Sequence, residues 1–303
     1  MALVACAIAA ARLLYYIGNT DWLIVRIKKV MLHKILKGVA PVFAIALAAG
    51  ISGCDSHISV NGHEGVPLSE LDLNGKAPTE LVLAGPDNVI VTRGDKLTIN
   101  VGGDPQVAEA LRFTLDGKSL GVMRKNGWKG DGKATVRVTL PDLAKLTLAG
   151  SGTIDADRLS GDVDAVIAGS GTARVAAIDT DKLEVTIAGS GTLEAAGRAK
   201  ELNLTVAGSG NAKMAGLKVD SADVTIAGSG DASFASDGTV KATVMGSGDV
   251  TVTGSAKCTI QSMGSGKLHC SAGTAATGMG DAPPTPAAPP APPPAPGDTP
   301  TPE

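Results

Sequence analysis

The tetrapeptide Ala149-Gly150-Ser151-Gly152 returns at Ala168–Gly171, Ala188–Gly191, Ala207–Gly210 and Ala227–Gly230. It continues as Met-Gly-Ser-Gly at Met245–Gly248 and Met263–Gly266. The first glycines are Gly150, Gly169, Gly189, Gly208, Gly228, Gly246 and Gly264, and the second are Gly152, Gly171, Gly191, Gly210, Gly230, Gly248 and Gly266. Successive first glycines are 18 to 20 residues apart. A fixed period of that length signals a solenoid, in which each repeat contacts only its neighbours.

Strand character flanks every corner. Leu148, Ile167, Ile187, Val206, Ile226 and Val244 stand two residues before the first glycine. Leu146, Ala165, Val185, Leu204, Val224 and Ala242 stand four before it, and polar residues such as Glu184, Thr186, Asn203 and Thr205 lie between. Beyond the corner the pattern resumes with Ile154/Ala156, Ala173/Val175, Leu193/Ala195, Ala212/Met214, Ala232/Phe234 and Val250/Val252. Alternation of period two means strands with one buried face. The expected fold is all-β: a single-chain parallel β-helix (β-solenoid) with coils of about 18–20 residues, each a strand, a Gly-Ser-Gly corner, a second strand and a return loop. Equivalent side chains then stack in ladders about 4.8 Å apart, and the seven coils form a rod of about 30–35 Å. Glycine at the corner supplies dihedrals closed to other residues and leaves no side chain to clash between coils.

The composition agrees. Phe, Trp and Tyr make up 2% of the 303 residues, so the core is built of Val, Ile, Leu and Ala, which suits a narrow interior. Glycine, at 39 residues, is about twice its usual share. No proline separates Pro141 from Pro283. The Gly-Ser-Gly units are not linker, because they punctuate alternating strands at a regular interval. Nor are they phosphate loops: no Lys-Ser/Thr follows and no helix pattern opens behind them. A row of serine hydroxyls from Ser151 to Ser265 reads first as corner geometry.

The ends are organised differently. Residues 1–53 carry six Lys/Arg and one Asp, against a net charge of −3 for the whole chain, so the remainder is acidic. An acidic body argues against nucleic acid as a partner. Met31 opens a basic stretch with Lys34 and Lys37, then an apolar run from Val39 to Ile51, which is the layout of a secretory signal peptide over 31–53. Residues 1–30 read as an over-called extension ahead of that start. Ile51-Ser52-Gly53-Cys54 looks like a bacterial lipobox, which would lipidate Cys54 and tie the protein to a membrane. Residues 54–68 read as a polar spacer, and 69–272 as the solenoid domain. Residues 273–303 read as a Pro/Ala-rich tail, extended over its proline stretch.

Leu81–Ile90 echoes the strand-corner-strand unit; Leu97–Val101, Phe113–Leu115 and Val136–Leu140 read as further entry strands, and Gln106–Leu111 as a short helix or turn. Trp128, in the basic loop Met123–Lys133, has two readings, a binding spot or a cap over the open core. Cys258 and Cys270 fall at inward positions of the last coils, and export places them where a disulfide could lock the terminal coil.

The lipobox, Leu83–Val91, Thr139–Leu143, the Gly-Ser-Gly coils and the terminal cysteine pair together resemble the bacterial auto-transporter adhesin, head GIN domain family over about residues 69–272. The resemblance implies a β-helical domain exported to the cell envelope. It carries no catalytic or ligand residues to transfer. No barrel of alternating ten-residue strands is present, so the resemblance does not extend to an autotransporter mechanism.

Three functions are weighed. The first is a non-catalytic envelope lipoprotein presenting a solenoid surface to a glycan or protein. The second is a periplasmic scaffold acting through the solenoid ends. The third is a carbohydrate-active enzyme, which would need paired carboxylates; Asp155, Asp157, Asp162 and Asp164 are the candidates. The first is expected, with no enzyme activity, no cofactor and no metal. The outward row Thr153, Thr172, Thr192, Asn211, Asp231, Asp249 and Lys267 reads as a solvated face.

Overall fold

A computed structural model describes residues 59, 60 and 62–271. The expected extension over residues 1–30, the signal peptide, Cys54 and the tail beyond Ser271 lie outside the described residues.

The described chain is one sheet wound into a parallel solenoid. Its strands are β1 Glu80–Ala84, β2 Asn88–Arg93, β3 Thr98–Gly102, β4 Leu111–Asp116, β5 Ser119–Arg124, β6 Thr135–Leu140, β7 Lys145–Gly150 and β8 Thr153–Ser160. They continue as β9 Val163–Gly169, β10 Thr172–Gly189, β11 Thr192–Gly208, β12 Asn211–Gly228, β13 Ala232–Gly246, β14 Val250–Thr253, β15 Lys257–Gly264 and β16 Leu268–Ser271. A short helix, α1 Pro105–Glu109, is capped by Asp104, whose carboxylate accepts the Gln106 N–H at 2.8 Å.

Register follows the counted period. Gly150 pairs with Gly169, Gly169 with Gly189, Gly189 with Gly208, Gly208 with Gly228, Gly228 with Gly246 and Gly246 with Gly264. Each coil is bonded to the next at the corner: the Gly189 carbonyl accepts from Ser209 N–H and the Gly208 carbonyl from Ser229 N–H, both at 2.9 Å. The inward columns Leu146/Ala165/Val185/Leu204/Val224 and Leu148/Ile167/Ile187/Val206/Ile226 are fully buried. These ladders are the core.

The return segment differs from the expected loop. In β10, β11 and β12 the strand runs on from one corner to the next over 17 or 18 residues. It bends at register shifts, such as that between Val175 and Ile178, rather than at a turn. A bulge lets the chain change direction while most backbone groups stay paired to the neighbouring coils.

The entry is also wound out of order. β1 lies between β5 and β7, and β2 between β6 and β8. The coil β1–β2 is therefore sandwiched, and β5–β6 forms the layer beyond it. Antiparallel β4 and β3 flank that layer. Met123 and Arg124, read from sequence as loop, end β5. Within the stretch read as spacer, Val60 is buried against Val82, Ala84 and Met123, and Val66 bridges Phe113.

Candidate functional surface

The in-register stack converts each outward position into a row along the rod. One such row on the post-corner strands pairs Asp155 with Arg174, Arg174 with Glu194 and Glu194 with Lys213. Arg174 bonds both neighbours, Asp155 at 3.3 Å and Glu194 at 3.1 Å, and its pKa is raised chiefly by the Asp155 hydrogen bond. Beside this row, where the chain bulges, Ala176, Ala196 and Ala215 leave little side chain. The result is an open groove of about 590 Å³ with a floor of small residues and a wall of alternating charge. It crosses several coils, so it suits an extended ligand more than a compact one.

The four carboxylates considered for catalysis are divided. Asp155 and Asp157 line the groove, and Asp155 is tied to Arg174. Asp164 sits on the pre-corner strands, in register between Lys145 and Glu184, and burial followed by the Glu184 charge raises its pKa. Asp162 lies in the turn before β9. The fold thus does not gather the four into one site. Among the described residues no cluster of three or more His, Cys, Asp and Glu could hold a metal ion, and no helix is long and apolar enough to cross a membrane.

The row read as solvated has a structural part. The Asp231 carboxylate accepts the Asp249 N–H at 2.9 Å, and Asp249 accepts the Lys267 N–H at 2.8 Å. Each aspartate thereby satisfies a backbone donor of the following coil. The corner serines are exposed. Trp128, in the segment that joins β5 to β6, is half-buried and packs on the main core with Lys125 Nζ 5.3 Å from its ring centre.

One feature escaped the sequence reading. Asp87, at the corner of the β1–β2 coil, is fully buried and receives Arg124 Nε at 2.7 Å and Nη2 at 2.6 Å. It also accepts the Ala134 N–H at 2.8 Å, while Arg124 donates to the Gly132 carbonyl at 2.9 Å. This bidentate pair staples the 125–134 segment to the first corner. The Asp87 hydrogen bond raises the Arg124 pKa. Asp87 replaces a Gly-Ser-Gly residue at that corner, which was the available signal.

Cys258 and Cys270 are joined as a disulfide, their Cα atoms 6.7 Å apart. Cys258 is half-buried and Cys270 exposed, although both occupy inward columns. No described strand lies beyond them, so the inward direction there faces an open end.

These features define a parallel β-solenoid with a capped entry and long repetitive faces. The chain belongs to the family described as "Putative auto-transporter adhesin, head GIN domain", whose model matches residues 77–256. Among solved structures, one described as a putative adhesin from Bacteroides fragilis is similar with a TM-score of 0.60 and 20% identity, covering 65% of this chain and 93% of its own. One described as a putative lipid binding protein from Parabacteroides distasonis gives 0.52 and 21%, covering 65% and 94%. A second from that organism, described as a putative adhesin, gives 0.50 and 21%, covering 66% and 98%. None of the curated proteins compared matches the sequence. The structural neighbours share the fold; the family description is that of an exported adhesin and carries no catalytic assignment.

Proposed function

We propose that the protein is a lipid-anchored envelope lipoprotein, held through Cys54, whose solenoid is a non-catalytic adhesion rod that contacts an extended glycan or protein strand along the Asp155–Lys213 groove. The observation that carries this reading is the groove's repetition: three successive coils present one charge beside one alanine, Arg174/Ala176, Glu194/Ala196 and Lys213/Ala215, a surface suited to several weak, evenly spaced contacts. The family description and the sequence Ile51–Cys54 support export and anchoring.

Two measurements test it. Mass spectrometry of the mature amino terminus from membranes should find a diacylglyceryl group on Cys54, and Cys54→Ala should release the protein into the soluble fraction. The soluble domain should bind purified envelope glycan or protein saturably. Arg174→Glu with Lys213→Glu should weaken that binding at least tenfold while leaving the fold intact, because exposed ion pairs contribute little to stability. Saturable binding indifferent to both substitutions would move the contact surface elsewhere; no saturable binding would remove adhesion.

A further inference from the structure

The charged row of the groove is self-complementary. Along consecutive levels of the rod it reads Asp155, Arg174, Glu194, Lys213: negative, positive, negative, positive. An alternating row with an even number of charges becomes its own complement when it is turned end for end. A second copy laid antiparallel on the first sets Asp155 against Lys213 and Arg174 against Glu194, and the reverse on the other side of the axis. The flanking levels add no clash, because Ile90 then meets Ser233 and Arg137 meets Thr251. In a parallel pairing every charge would meet its own kind, which is repulsive. The sign pattern thus selects one orientation.

We propose that the groove binds a second copy of this chain, face to face and antiparallel, about a two-fold axis that runs along the strands between the levels of Arg174 and Glu194. This pairing rests on the adhesion reading given above and names the partner of that surface. Such an axis reverses position along the rod but keeps position along each strand. The charged rows therefore face each other, and the small residues Ala176, Ala196, Ala215 and Gly216 face their counterparts. A floor without bulk lets the two sheets approach closely. The side chains of Asp155, Arg174 and Glu194 are 43%, 51% and 41% exposed, so the ion pairs within one copy leave room for a second set across the contact. Contact of this isologous kind closes at two copies and builds no filament.

The contact is small. The eight levels from Arg137 to Thr251 extend about 34 Å at ~4.8 Å per level, and Thr153 to Asp157 spans about 13 Å along the strand. That footprint, about 450 Å² on each copy, falls in the range of weak, transient encounters. A weak contact becomes effective when many copies are displayed together. The pairing also has a direction. Val60 packs on the entry coil, against Val82, Ala84 and Met123, and Cys54 precedes it by six residues, no more than about 22 Å of chain. Anchored through Cys54, each copy is tethered at its entry end. Antiparallel copies then carry their tethers at opposite ends of the pair, so they join two facing membranes rather than neighbours in one.

Phosphatidylcholine vesicles bearing the full lipidated chain test this by light scattering. Wild-type vesicles should cluster. Arg174→Glu with Lys213→Glu makes the row wholly negative, and Asp155→Lys with Glu194→Lys makes it wholly positive. Each variant alone should cluster at least tenfold less than wild type. A mixture of the two should cluster again, which also shows that both remain folded. Orientation is read with a short bismaleimide. Asp157→Cys vesicles mixed with Ala215→Cys vesicles should give cross-linked dimers, and neither alone should, because equal positions lie about 14 Å apart along the rod. A mixture of charge variants that stays dispersed, or cross-linking within one cysteine variant alone, overturns the antiparallel pair. Clustering indifferent to charge reversal overturns both self-pairing and the groove as the contact surface. Absence of wild-type clustering beside saturable, charge-sensitive binding of envelope glycan overturns self-pairing alone and leaves the groove to that ligand.

Discussion

A methyl group at a Gly-Ser-Gly corner should cost far more than the same group at an outer turn. Gly208 has a φ of +122°, and a Cβ there would fall inside van der Waals contact of the Gly189 carbonyl oxygen, with the Gly189 carbonyl carbon 3.1 Å away. That oxygen already accepts the Ser209 N–H at 2.9 Å. Gly208→Ala therefore combines a backbone strain of about 1–3 kcal/mol, overpacking of about 1–3 kcal/mol and a disturbed hydrogen bond of about 1 kcal/mol. The expected loss is about 3–7 kcal/mol. Gly161, in the turn between β8 and β9, has a φ of +87° but open space around its Cβ direction. Gly161→Ala should lose only the strain of a left-handed conformation, about 1–2 kcal/mol. Urea unfolding of the two variants, followed by far-UV circular dichroism, gives the comparison. Equal losses in both would mean that coil-to-coil contact does not dictate glycine at the corners, and the stacking argument would fail.

Removing the buried countercharge by Asp87→Ala should destabilise by about 3–5 kcal/mol, since it strands the Arg124 guanidinium in the entry layer; Asp87→Ala with Arg124→Met should recover much of the loss, and urea midpoints with unchanged slopes are the readout. Reduction, or Cys258→Ser, should cost about 3 kcal/mol for a loop of 12 residues and should first free the Lys257–Ser271 region to proteolysis, whereas proteolysis starting in inner coils would contradict a local role. Acid should reveal two aspartates of opposite sign. Asp237 is lowered to about 2, chiefly by its hydrogen bond with Lys218, so its contribution is present above the ordinary carboxylate pKa of 3.8 and is lost as pH falls from about 4 to 2; Asp237→Asn should flatten the stability profile there. Asp164 is raised by burial and then by Glu184, so its contribution is greatest below 3.8 and disappears as pH rises through its folded pKa; Asp164→Asn should stabilise the protein at neutral pH, by thermal melts in low salt.

The repeat made the solenoid legible because side-chain direction in a strand alternates with a period of two, and a bend restricted to glycine marks where the period restarts. Leu148, Ile167 and Ile187 could be assigned to one inward column by counting alone. So could the corner glycines and the pairing partners Cys258 and Cys270. The groove was not legible. Asp155, Arg174 and Glu194 stand about twenty residues apart, and only the register sets them side by side. Its alanine floor depends on bulges between Val175 and Ile178 and between Glu194 and Ala196, which shift residues without a local signature. The entry was hidden for a related reason. β1 pairs with β5 and β7 instead of its sequence neighbours, and the Asp87–Arg124 pair joins residues 37 apart across a crossover. Periodicity records what each residue needs locally, burial or exposure, a strand or a bend. Which distant residues share a surface is decided by the closing of the sheet upon itself, because hydrogen bonds and core contacts between coils fix the register that no single coil contains.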